Sequence, residues 1–112
     1  MANYQNITPV RLGQAAITTG YTTLYTTPAN SRTYVKQMDI ANTTVGSKKV
    51  TINIVPTGGT AVDSNAILHE VTIARNDAYQ WKGVQIMNYG DTIQVIADAV
   101  GLTITASGGE AV

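Results

Sequence analysis

Gly90-Asp-Thr-Ile-Gln-Val-Ile-Ala-Asp-Ala-Val-Gly-Leu-Thr-Ile-Thr-Ala-Ser-Gly-Gly-Glu110 is the stretch from which the fold can be read. Ile93, Val95 and Ala97 alternate with Thr92, Gln94 and Ile96. After Gly101 the alternation resumes, with Leu102, Ile104 and Ala106 on one face and Thr103, Thr105 and Ser107 on the other. A period of two in apolar residues marks strands with one buried and one wet face. Asp98 and Gly101 supply turn chemistry between the runs, so the stretch reads as a hairpin. A hairpin with one buried face needs a second layer, which the rest of the chain must provide.

Working outward, the same signal recurs. Tyr21 to Thr27 is a β-rich run broken by Pro28-Ala-Asn-Ser31. Arg32 to Asn42 is the next strand, with Met38 and Ile40 set against Gln37 and Asp39. A loop with Gly46 leads into Lys48 to Val55, where Val50, Ile52 and Ile54 face inward and Lys49, Thr51 and Asn53 outward. Strand, glycine-containing loop and strand read as a second antiparallel hairpin. Ile67 to Ala74 reads as a strand because Val-Thr-Ile is β-branched, against a short helix opening after Ser64 or Asn65. Ala78 to Lys82 carries the single Trp, Gly83 is followed by Val84-Gln-Ile86-Met87, and Asn88-Tyr-Gly-Asp91 turns the chain back. About eight short strands with turn residues between them indicate an all-β chain, a single antiparallel β-sandwich of jelly-roll or immunoglobulin-like outline. Residues 1–20 are weakly patterned and read as an N-terminal arm or an edge segment, with the sandwich spanning 21–112.

Composition narrows the function. The 112 residues suffice for one domain with one modest core. Charged residues make up 12%, about half the usual share, and threonine, roughly one residue in seven, covers the polar surface instead. Seven basic and seven acidic side chains cancel, which leaves no global field for nucleic acid or an anionic membrane, and neither is expected as a partner. A neutral, lightly charged surface is poorly protected against self-association. There is no cysteine, so neither a disulfide framework nor a thiolate metal site is available. No basic region followed by an apolar run opens the chain, so no signal peptide is expected.

Little in the sequence suits catalysis. His69 is the sole histidine, and its neighbour Glu70 should point to the opposite face of a strand. The aspartates, Asp39, Asp63, Asp77, Asp91 and Asp98, sit mostly in or beside turns, where Asp belongs for conformational reasons. Asp63-Ser-Asn65 lacks the length and the bidentate Glu of a calcium loop, and Gly58-Gly59 and Gly108-Gly109 lack the Lys and helix of a phosphate cradle. No catalytic residue, metal ligand or cofactor is expected. Tyr79 and Trp81 stand on one face of a strand. They read as a core plug, as a contact for a protein partner, or as a platform for a sugar ring.

The order Leu24-Tyr-Thr-Thr-Pro-Ala-Asn30, Tyr34-Val-Lys36, Ile40-Ala-Asn-Thr43, Gly90-Asp-Thr-Ile-Gln-Val95 and Gly101-Leu-Thr-Ile-Thr-Ala-Ser-Gly108 resembles small virion structural proteins of tailed bacteriophages. Those are β-sandwich modules found as head decoration proteins, head fibres and neck or tail accessories. The resemblance runs from about Tyr21 to Glu110 and departs from the family ending, Ser-Gly-Val/Ile-Glu, at Gly109. It implies a non-enzymatic capsid decoration protein located in the virion. The expected partners are the major capsid protein or other virion proteins, and the chain is expected to form a homo-oligomer, a trimer on the resemblance alone. The alternative is a tail, neck or fibre module that binds a host-surface glycan through Tyr79 and Trp81.

Overall fold

The computed structural model describes residues 4–112 and consists of eight strands with one 3-10 turn, Asp63–Asn65. The strands are β1 (Ile7–Ala16), β2 (Thr22–Thr26), β3 (Arg32–Asn42), β4 (Lys48–Val55), β5 (Ala66–Ile73), β6 (Ala78–Met87), β7 (Thr92–Ala97) and β8 (Leu102–Ala111). They form two four-stranded antiparallel sheets, β1-β8-β3-β6 and β2-β7-β4-β5. Successive strands swap sheets at every connection but β4–β5. Two interlocked Greek keys in this order are a jelly roll, which decides between the two outlines the sequence left open.

That topology corrects both expected hairpins. β7 and β8 are consecutive but lie in different sheets, and so do β3 and β4. Alternation states which side chains face the core, and it is silent on which strand lies alongside. At the β7–β8 corner the Asp98 carboxylate accepts the Lys49 N–H at 2.9 Å, and the Asp98 N–H donates to the Lys49 carbonyl at 3.1 Å. The turn is thereby stapled to β4, and Leu102 re-enters the first sheet opposite Asn42. Asn42 holds the β3–β4 corner. Its amide donates to the carbonyls of Gly46 (2.9 Å) and Ile73 (3.0 Å), and its oxygen accepts from the Thr44 N–H and hydroxyl.

Ile7–Ala16, within the weakly patterned 1–20 segment, forms β1, which pairs with β8 from end to end at the rim of the first sheet. Residues 1–3 of that segment lie outside the described residues. Pro9 is tolerated there because an edge strand needs ladder bonds on one side only. The core lies between the sheets, with Met38, Ile40, Leu102 and Ile104 of the first packed against Val50, Ile52, Ile93 and Val95 of the second.

The two outer faces differ. Thr51 and Asn53 of β4 read as solvent-facing, yet they are 8% and 1% exposed. The chain from Thr57 to Asn65 folds over Asn53, which donates to the Val62 carbonyl and to Asn65 Oδ1 at 2.9 and 2.7 Å while its own oxygen accepts from the Tyr21 hydroxyl, and the Thr51 hydroxyl accepts the Glu70 N–H at the β5 bulge. A loop therefore covers much of the outside of the second sheet. Among the described residues, no such loop covers the outside of the first sheet.

Candidate docking surface

The outer face of β1-β8-β3-β6 is laid out in rungs, each crossing all four strands. Pro9, Gly109, Tyr34 and Ile86 form one rung, then Arg11, Ser107, Gln37 and Lys82, then Gln14, Thr105, Asp39 and Gln80. Between the first two, β3 and β6 carry bulges at Lys36 and at Gly83–Val84, which push Lys36 and Val84 outward. Gly108 and Gly109 remove two side chains from a central strand at this level. The result is a groove of about 530 Å³ with a glycine floor, walled by Ile7, Pro9, Tyr34 and Val84 and rimmed by Lys36. Ile7, Val84 and Ile86 are 59, 53 and 55% exposed. Large apolar side chains left together in water mark a surface built for contact.

Lys36 lines the groove, and Arg11 and Lys82 stand at the two edges of the neighbouring rung, Arg11 donating to Gln14 Oε1 at 3.0 Å. Farther along the face, Asp39 is the acidic residue, and its carboxylate accepts the side-chain amides of Gln37 and Gln80 at 2.9 Å each.

Where the sandwich closes beneath the groove, Tyr25 of β2 ties the sheets together. Its hydroxyl donates to the Glu110 carboxylate on β8 and lies 2.8 Å from the Thr33 hydroxyl on β3. Burial first, and then the bond to Glu110, raise the Tyr25 pKa to about 12.

Tyr79 and Trp81 do share a face, the inward one. They lie opposite Ile40 and Met38 and pack, half-buried, against the core. His69 and Glu70 depart from their expectation. A bulge in β5 sets them both against Thr51, with Glu70 at φ 48°, so the alternation breaks and both side chains emerge on the solvent side. Glu70 Oε2 lies 3.6 Å from His69 Nε2, and Asp63 Oδ1 lies 3.9 Å from Nδ1, all three open to solvent. Among the described residues, no group of three or more His, Cys, Asp or Glu could hold a metal ion. The same residues include no helix long and apolar enough to cross a membrane.

The sequence alone does not single out Val84 and Ile86, which share the outward phase of Lys82 while Trp81 and Met87 face inward. The signal that could have found the groove is Gly108-Gly109 inside a strand pattern, which marks close backbone approach.

With the geometry in hand, comparison with known proteins gives structural relatives. A chain from the structure of infectious bursal disease virus, Gx strain, superposes with a TM-score of 0.57 at 12% identity over 99% of this chain. A second structure, the T13 particle of the same virus, gives 0.52 at 12% identity over 98%. The likeness is one of fold. This chain spans about a third of the length of those viral chains, 33% and 31%. A subunit of Bacillus endospore appendages, described as disulfide-linked pili, matches with a TM-score of 0.57 at 16% identity, over 99% of this chain and 93% of the other. No protein-family model and no curated protein matches the chain. At these identities the likeness is one of fold alone. The present 112 residues contain no cysteine, so contacts among them cannot be disulfides.

Proposed function

We propose that this chain is a non-enzymatic structural protein of a virus particle, and specifically a decoration protein that binds the assembled head of a tailed bacteriophage and stabilises it. The observation that carries the reading is the jelly-roll topology, matched over nearly the whole chain by a domain of a viral particle. Support comes from the open apolar face of the first sheet, a surface suited to protein contact rather than to chemistry. A part that works by surface area also gains stability from its assembly, since a partner that binds only the folded form shifts the folding equilibrium. Decoration is preferred to a glycan-binding tail module because the rings of Tyr79 and Trp81 pack toward the core, where little ring face is left for a sugar.

The test is cosedimentation of the purified protein with mature and immature phage heads, followed by electron microscopy of the pellet. Stoichiometric density at lattice positions is the expected result. Heads that sediment bare would overturn the decoration role and move the search to necks and tails.

A further inference from the structure

Four features of the molecule constrain how it can meet a neighbour. The first is that every edge strand is interrupted. β1 carries a register shift between Arg11 and Gly13, β2 between Thr23 and Tyr25, β5 has the His69–Glu70 bulge, and β6 the one at Gly83–Val84. Bulged edges cannot template a continuous ladder with another chain, so strand addition is blocked on all sides and contact must use faces. The second is the uneven cover of those faces: a loop lies over the second sheet, whereas the first sheet is open and holds the apolar groove.

The third feature is charge. The zero net charge hides a segregation. Strands β1, β3, β6 and β8 hold four basic and two acidic side chains, a net +2, and both acids are already engaged, Asp39 by Gln37 and Gln80 and Glu110 by Tyr25. The remaining described residues hold three basic and five acidic side chains, a net −2. Arg11, Lys36 and Lys82 form no ion pair with a carboxylate among the described residues.

The fourth is where the most exposed acids lie. Asp63 and Glu70, their side chains 95 and 64% exposed, sit at the β5 side of the second sheet, with the His69 ring between them at 3.9 and 3.6 Å. Beside them Val62 is an exposed apolar side chain, 48% open to solvent. An apolar tip flanked by carboxylates is the complement of an apolar groove rimmed by cations.

We propose that the outer face of β1-β8-β3-β6 receives the β5 side of a second copy of this chain, with Val62 entering the groove and Asp63 and Glu70 meeting the cations at its rim. The inference rests on the reading of the chain as a self-assembling structural protein and names the surface that reading lacks. Donor and acceptor patches are different, so the contact is heterologous. Each copy both gives and receives, and the assembly closes into a ring if the rotation permits or grows as a filament if it does not.

The test is sedimentation analysis of the full chain across a range of concentrations at low and high salt. The wild type is expected to associate, and to do so more weakly at high salt. Val84→Asp in the groove, the pair Lys36→Glu and Lys82→Glu on the rim, and the pair Asp63→Lys and Glu70→Lys on the donor side should each weaken association by about tenfold or more. All five positions are exposed, so the variants should keep the wild-type urea midpoint, which serves as the folding control.

The deciding arm mixes the two charge-reversed variants. In a heterologous contact the acidic rim of one fits the basic donor side of the other, and the patches that remain are the wild-type pair, so equimolar mixing should restore association as an alternating assembly of the two variants. A monomeric wild type at every concentration overturns the proposal, as does association indifferent to all these substitutions. Variants that fail singly and also fail when mixed overturn the head-to-tail geometry in favour of a face-to-face contact. Head binding by a strictly monomeric chain would overturn this inference and leave the particle role standing. Self-association without head binding would do the reverse.

Discussion

Gly108 and Gly109 are adjacent residues on a central strand, and substitution to alanine should have very unequal costs at the two. A Cβ on Gly108 would lie far inside contact distance of the Tyr34 carbonyl oxygen, with Val35 Cα at 3.2 Å behind it. Both obstacles are backbone of β3, which is hydrogen-bonded on its other side to β6 and has no rotamer by which to yield. Relief requires β3 and β8 to part, which adds lost ladder bonds at about 1 kcal/mol each to the usual overpacking cost of about 1–3 kcal/mol. We expect Gly108→Ala to cost at least about 3 kcal/mol, a large share of the roughly 5–15 kcal/mol that holds a domain folded.

A Cβ on Gly109 meets Ile7 Cγ2 at 3.1 Å and the Thr8 carbonyl oxygen at 3.4 Å. Ile7 is an exposed side chain at the start of an edge strand and can turn aside, so Gly109→Ala should cost about 1 kcal/mol or less. The assay is urea unfolding followed by far-ultraviolet circular dichroism. With a slope of about 1–3 kcal/mol/M, Gly108→Ala should lower the midpoint by about 1 M or more and Gly109→Ala by a fraction of that. Equal midpoints for the two variants would refute the reasoning, since a backbone obstacle and a side-chain obstacle would then have proved equivalent.

Other expectations follow from single side chains. Asn42→Ala should lose about 2–3 kcal/mol in the same urea assay, because it strands two carbonyls and the Thr44 N–H at a buried corner. Tyr25 should be the last of the six tyrosines to ionise when tyrosinate absorbance is followed against pH. Its folded-state pKa of about 12 lies above the ordinary value of 10.0, so its contribution is complete below pH 10 and is lost as pH rises towards 12. Tyr25→Phe should flatten that alkaline decline in the urea midpoint. Trp81→Ala should cost less than the roughly 3–5 kcal/mol of a fully buried ring, since Trp81 is half-buried, and should leave head binding in the cosedimentation assay unchanged.

Most of the inward-facing residues could be read from alternation alone. Met38, Ile40, Val50, Ile52, Ile93, Val95, Leu102 and Ile104 all lie in the core as the period of two required, because a pleated strand sends every second side chain to one side. The same chemistry named the turns and the all-β sandwich. Sequence by itself could also state that no thiol is present and that net charge is zero. Alternation ended where bulges intervened. At His69–Glu70 of β5 and at Lys36 of β3 one extra residue shifts the phase, and the side chains beyond it change faces without a change in composition.

Tertiary structure alone decided three further things. It chose strand partners, since β7 could lie beside β8 or β4 with the same face buried, and the stapled Asp98 corner sends it to β4. It chose which outer face stays open, because the Thr57–Asn65 loop covers Asn53, and the β5 bulge covers Thr51, by hydrogen bonds that no local pattern encodes. It also gathered Ile7, Tyr34, Val84 and Gly109 into one groove from four strands. Local sequence sets the preference of each residue for core or water, whereas a surface belongs to residues far apart in the chain, and only their packing brings them together.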